Sequence, residues 1–140
     1  MFDRGIEKDG LKEYAAKHGI GIITFCPLAQ GLLTDRYLNG IPADSRAASG
    51  SRFLNADQLT AGKLETVRQL NALAEKRGQK LSQMALAWVL RDDNITSVLI
   101  GASKTSQIED AVGMLANRHF TDQECVDIDN ILNSKREQRF

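Results

Sequence analysis

Two short stretches hold the residues best suited to chemistry. The first, Gly101-Ala-Ser-Lys-Thr-Ser106, follows the apolar run Ile95-Thr-Ser-Val-Leu-Ile100 and precedes a helical pattern. Free N–H groups at a helix N-terminus carry partial positive charge, and glycine lets a ligand approach the backbone closely, so an anion such as phosphate suits this junction. Ser103, Thr105 and Ser106 add hydroxyls and Lys104 a cation. The same residues also suit helix capping by Ser103 or Thr105 with no ligand at all. The second stretch, Phe25-Cys26-Pro27-Leu28-Ala29-Gln30-Gly31-Leu32-Leu33-Thr34, follows the apolar run Gly19-Ile-Gly-Ile-Ile-Thr24. A strand there opens into a loop shaped by Pro and Gly, the kind of loop that positions ligands.

The elements around these junctions read as α/β. Leu11, Tyr14, Ala15 and Ala16, followed by Lys17-His18-Gly19, predict a short amphipathic helix ending at glycine with basic residues in its last turn. Strands are expected over 20–25 and 95–100. Their near-continuous apolar runs predict cover on both faces, as in a parallel sheet flanked by helices. Between 26 and 55 lies a long loop with both prolines and a polar stretch, 43–52, of a length that is usually functional or disordered. A helix is expected over 56–77, ending at Gly78, and a second, apolar almost all round, from an N-cap at Ser82. A third runs from about Thr105 to Leu115. Thr121-Asp-Gln-Glu124 has the capping-box pattern of a fourth after the first short one, and the charged tail 134–140 is expected to fray. Two parallel strands alone leave two open edges, so a partner is expected to cover them.

Composition narrows the function classes. The 140 residues fit one ordinary domain with zero formal net charge, which gives no reason to expect nucleic acid or an anionic membrane as partner. No apolar stretch is long enough to span a bilayer and the first residues lack signal-peptide character, so a cytoplasmic address is the expectation. Cys26 and Cys125 are far apart and belong to no metal-ligand pattern, so neither a disulfide nor a structural metal is expected. His18 and His119 read as surface residues, Trp88 as core, and Asp122, Glu124, Asp127 and Asp129 as a solvated acidic helix face.

The blocks FCPLAQGLLTDRYLNGIPADSRAASG, LSQMALAWVLRD and ITSVLIGASKTSQIED, in this order, resemble the C-terminal part of the aldo-keto reductases. The likeness is to the branch of L-glyceraldehyde 3-phosphate reductase and the potassium-channel β subunits, and runs from about Gly10 to Asn133. It implies an eight-stranded (β/α)8 TIM barrel that binds NADPH and reduces small aldehydes or ketones, of which this chain is less than half. The strands at 20–25 and 95–100 then resemble barrel strands seven and eight, and residues 1–140 form one partial domain.

By the same resemblance, Cys26, Pro27, Leu28, Ala29 and Gly31 wrap the nicotinamide ribose and pyrophosphate. Arg36 and Arg46 clamp cofactor phosphates from the loop 26–55, and Gly101, Ser103, Gln107 and Asp110 contact the cofactor from the second junction, with Gln107 and Asp110 facing the adenosine end. The sequence departs from the family in two places: Cys26 stands where Ser is usual, and Asp110-Ala111 where Glu-Asn is usual. The catalytic Tyr and its Lys, Asp and His belong to the first four strands of such a barrel. No position here matches them, so no catalytic residue is assigned and the chain alone is expected to be inactive. The N-terminal half of the barrel, or self-association, would cover the open strand edges. The alternatives are a non-catalytic nucleotide-binding or interaction module and a truncated, inactive product.

Overall fold

A computed structural model describes residues 1–50 and 53–133. Its regular elements are helix α1 (Leu11–Lys17), strand β1 (Ile23–Thr24), helices α2 (Ala61–Lys76) and α3 (Leu81–Val89), strand β2 (Ser97–Val98), and helices α4 (Thr105–Gly113) and α5 (Asp122–Asn133). Short 3₁₀ turns fill several of the connections.

Helix ends follow local chemistry. After α1, Gly19 takes φ 65°, the Ile20 N–H reaches back to the Ala15 carbonyl at 2.9 Å and the Gly19 N–H to that of Ala16 at 3.3 Å. This paired pattern closes a helix on a left-handed residue, where a side chain would be strained. Gly78, at φ 67°, closes α2 the same way, with Gln79 donating to the Ala74 carbonyl at 3.0 Å. The Thr121–Glu124 capping box opens α5: the Glu124 N–H donates to Thr121 Oγ1 at 3.2 Å and the Thr121 N–H to Glu124 Oε2 at 2.7 Å.

Two helix starts differ from expectation. The 56–77 helix is interrupted: Ala56–Gln58 is a 3₁₀ turn closed by reciprocal Asn55–Gln58 bonds of 2.9 and 3.1 Å. Leu59 then leaves helical geometry, and Thr60 caps α2 by accepting from the Lys63 N–H at 3.3 Å. Helix α3 begins before Ser82, because Gln83 Oε1 accepts from the Lys80 N–H at 3.0 Å and starts the helix at Leu81.

Strands β1 and β2 are parallel neighbours, Ile23 opposite Ser97 and Thr24 opposite Val98. They are shorter than expected and not covered on both faces: Ile23, Phe25 and Leu99 are 69%, 77% and 63% exposed. The sheet of the described residues has only these two strands, so no third strand among them pairs with the outer edges.

The main core packs Val67, Leu70 and Ala74 of α2 and Leu81, Met84 and Trp88 of α3 against Ile128 of α5. The segment after β1 adds Leu33, Tyr37, Ala47 and Leu54, all buried, so the loop 26–55 is anchored in the core and is not a purely solvated flap. A smaller cluster of Leu86, Ala87 and Met114 seats the α4 side on α3. Trp88 is core, with Phe120 edge-on at 5.2 Å and the Arg91 guanidinium 4.0 Å from its ring. The acidic face of α5 is not simply solvated, since Glu124 pairs with Arg77 at 2.6 Å and Asp129 with Arg4 at 2.5 Å. His18 and His119 are exposed, and both cysteines are free thiols. Among the described residues no helix is long and apolar enough to cross a membrane, and no cluster could hold a metal ion. The 134–140 tail lies outside the described residues, as do Ser51 and Arg52 of the loop.

Candidate functional site

Because β1 and β2 run parallel with Thr24 opposite Val98, the chain leaves both strands at the same end. Cys26 and Ile100 are level, and the two candidate stretches emerge side by side. Ligands of open and closed α/β sheets bind at this carboxyl end of the strands.

The first junction is strained and held by side chains. Cys26, Ala29 and Gln30 have φ of 51°, 48° and 60°, a left-handed conformation costing on the order of 1–2 kcal/mol for each residue with a Cβ. Behind it, Leu32 and Leu33 are buried and fix the loop to the core. In front, the Gln30 amide bridges the loop: its Nε2 donates to Cys26 Sγ at 3.2 Å, and its Oε1 accepts from Arg46. Cys26, Gln30 and Arg46 are thus brought together. Arg36 is turned instead to Asp44, 2.8 Å from its carboxylate and 3.0 Å from its carbonyl. Asp44 is mostly exposed, and such a pair contributes less than about 1 kcal/mol, so an incoming phosphate can displace it. Pro27 and Leu28 lie partly buried between these contacts, and the Leu28 carbonyl accepts from the Gly31 and Leu33 N–H groups at 2.9 and 3.1 Å.

At the second junction residues 101–109 are all exposed. Neither Ser103 nor Thr105 caps α4. Gln107 does so from inside the helix: its Oε1 accepts from the Ser103 N–H at 2.8 Å, from the Lys104 N–H at 3.2 Å and from Ser103 Oγ at 3.3 Å. Ser103 and Gln107 are therefore brought together, with Gly101 two residues before them. The Asp110 carboxylate is engaged elsewhere, by Lys80 Nζ at 2.7 Å from each oxygen.

A cleft of about 640 Å³ opens against β1, lined by Phe25, Cys26, Pro27, Gln30, Trp88 and Arg91 among others, and reaches none of residues 101–110. The two junctions share a rim and not a single pocket. Around this cleft runs an ion-pair network that the sequence did not reveal. Glu7 joins Arg91 and Arg4, both at 2.5 Å, and Lys12 joins Asp92. Burial opposes ionisation of Glu7, but hydrogen bonds from Arg91 and Arg4 outweigh it and hold its carboxyl below the ordinary value. Burial pushes the Cys125 thiol up, away from reactivity.

Residues 1–133 match the model of the aldo/keto reductase family. The chain belongs to that family. An L-glyceraldehyde 3-phosphate reductase from Escherichia coli is 47% identical over 132 residues, 92% of this chain and 38% of the relative. A probable voltage-gated potassium channel β subunit from Arabidopsis thaliana is 40% identical over 113 residues, 79% of this chain and 34% of that protein. Among solved structures, a glycerol dehydrogenase from Gluconobacter oxydans superposes with a TM-score of 0.73 at 29% identity, covering 99% of this chain and 42% of the other. This aldo/keto reductase chain therefore spans about two fifths of the length of the curated relatives it matches. Its α/β architecture with an unclosed sheet is that of part of the barrel to which the structural neighbour belongs.

Proposed function

We propose that residues 1–140 are the cofactor-binding C-terminal part of an NADPH-dependent, cytoplasmic aldo-keto reductase acting on small aldehydes or ketones. In this reading β1 and β2 are barrel strands seven and eight. The observation that carries it is the pairing of the two junctions at one end of a parallel sheet in a chain that matches the family along residues 1–133.

The residues fit the cofactor in kind. Cys26, Pro27, Leu28, Ala29 and Gly31 offer a backbone already fixed in an unusual conformation, supported by Gln30, so little ordering cost remains on binding. Arg36 and Arg46 supply planar forks for phosphate. Gly101, Ser103 and Gln107 gather at the N-terminus of α4, where the 2′-phosphate of NADPH meets N–H groups and Lys104. Asp110 stands one turn further along, at the adenosine end. When bound, NADPH supplies the hydride, while these residues bind and orient it.

The general acid comes from strands outside this chain, and no residue here takes that role. The open edges of β1 and β2, with exposed Ile23, Phe25 and Leu99, are where those strands or a second copy would pair. Mixing the chain with a separately expressed N-terminal half of a relative, and following NADPH consumption with a small aldehyde, tests the proposal. Turnover in the mixture, and in neither part alone, is the expected result. A second reading, a non-catalytic nucleotide-binding module, is favoured by the likeness to the channel β subunit. It predicts coenzyme binding without turnover in the mixture.

A further inference from the structure

Beside the small apolar cluster of Leu86, Ala87 and Met114, on which Ala111 packs, polar groups tie helix α4 to α3. Lys80, just before α3, places Nζ 2.7 Å from both carboxylate oxygens of Asp110. The Gln83 amide lies beside this pair, accepting from the Lys80 N–H at 3.0 Å and donating to the Asp110 carbonyl at 3.0 Å. The next turn of α4 makes room for it: a Cβ on Gly113 would sit 2.6 Å from Gln83 Nε2. The clamp thus sets where Asp110 points and which cation meets it.

Asp110 lies one turn from Gln107, on the same helix face, and Gln107 holds Ser103 at the helix start. From Lys104 to Asp110 the helix rises about 9 Å, which is within a Debye length at ordinary ionic strength. A bare carboxylate at that distance opposes an anion held at the N-terminus of α4. A carboxylate neutralised on both oxygens does not. The pair is too exposed, at 60% and 42% of the two side chains, to contribute much to folding, so its main effect is on charge next to the site.

We propose that Lys80 is a specificity-determining residue for the coenzyme. By neutralising Asp110 it preserves the preference for the 2′-phosphate of NADPH over the 2′-hydroxyl of NADH. The inference rests on the cofactor reading above and assigns its selectivity to a residue that itself touches no coenzyme.

The test is calorimetric titration of the full chain with NADPH and with NADH, for the unchanged protein, Lys80→Gln, Lys80→Arg and the double variant Lys80→Gln/Asp110→Asn. One charge removed at about 10 Å predicts a roughly three- to fivefold loss of NADPH affinity in Lys80→Gln, with NADH affinity nearly unchanged. Lys80→Arg retains the preference. The double variant regains the NADPH-to-NADH ratio, whatever loss the two coenzymes share, because no carboxylate is left to neutralise. Equal losses for both coenzymes in Lys80→Gln, or a double variant whose ratio stays low, overturn the role of Lys80 and leave the cofactor site standing. A folded chain that binds neither coenzyme overturns the cofactor reading, and this inference with it.

Discussion

Replacing Arg77 by Met removes the charge at the centre of the densest polar cluster while keeping most of the side chain's packing. The guanidinium is only 2% exposed and meets Glu124 at 2.6 Å. It also donates to Gln79 Oε1 at 2.9 Å and to the Asn117 and His119 carbonyls at 3.1 and 3.0 Å, and it lies 3.9 Å from the Phe120 ring. Breaking a buried pair by deleting one partner costs about 3–5 kcal/mol, because the other charge is left uncompensated. Glu124 is 23% exposed, so water recovers part of that loss, and the lower end, about 3 kcal/mol, is expected. Against a stability of about 5–15 kcal/mol this is a large fraction. With a urea slope of about 1–3 kcal/mol per molar, the unfolding midpoint followed by circular dichroism falls by roughly 1–3 M. Lys in place of Arg keeps the charge but not the fork, and recovers less than half of the loss. A midpoint that moves by less than about 0.3 M in Arg77→Met would refute the assignment of the α2–α5 junction to this cluster.

Three further outcomes follow from the packing and the charges. Leu33→Ala, at a side chain that is fully buried although it belongs to the loop, should cost about 3 kcal/mol in urea unfolding. A cost below about 1 kcal/mol would mean that the loop is a loose flap. Gly113→Ala displaces the end of a flexible Gln83 side chain and loses its bond to the Asp110 carbonyl, so about 1 kcal/mol is expected in the same assay. Stability should also fall in acid. Burial opposes ionisation of Glu7, Asp92 and Glu124, yet hydrogen bonds from Arg91 and Arg4, from Lys12, and from the Thr121 N–H and Arg77 outweigh it and lower all three. Groups lowered on folding stabilise fully above their ordinary values and progressively less below them. The melting temperature should therefore drop as pH falls through about 4.5, the drop being smaller in Glu7→Gln.

What could be read from the sequence was mostly what neighbours along the chain decide. Gly19 and Gly78 end α1 and α2 because a left-handed residue closes a helix whatever packs around it, and the Thr121–Glu124 box is complete within four residues. The parallel pairing of the two apolar runs was also legible, since their composition is that of flanked strands. Their burial was not, because it depends on neighbours that the sheet of the described residues lacks. The pause at Leu59 and Thr60 was hidden by apolar spacing that runs through it. Leu33 and Tyr37 were hidden in a loop that has no period to mark an inward face. At the site, Gln107 was expected as a cofactor contact and Ser103 or Thr105 as the alternative cap, but not Gln107 as the cap of α4. Nor was the capture of Asp110 by Lys80 legible, at 30 residues' separation. Side-chain partners so far apart are chosen by the folded geometry, and no local pattern records them.

The central claim is that this part of an aldo/keto reductase builds a coenzyme site. Calorimetric titration of the purified chain with NADPH and NADH, on material shown by circular dichroism to be folded, tests it most directly. Micromolar binding with clear preference for NADPH, weakened about tenfold or more when Arg36 and Arg46 are both replaced by Ala, is the predicted result. A folded chain that takes up neither coenzyme would contradict it.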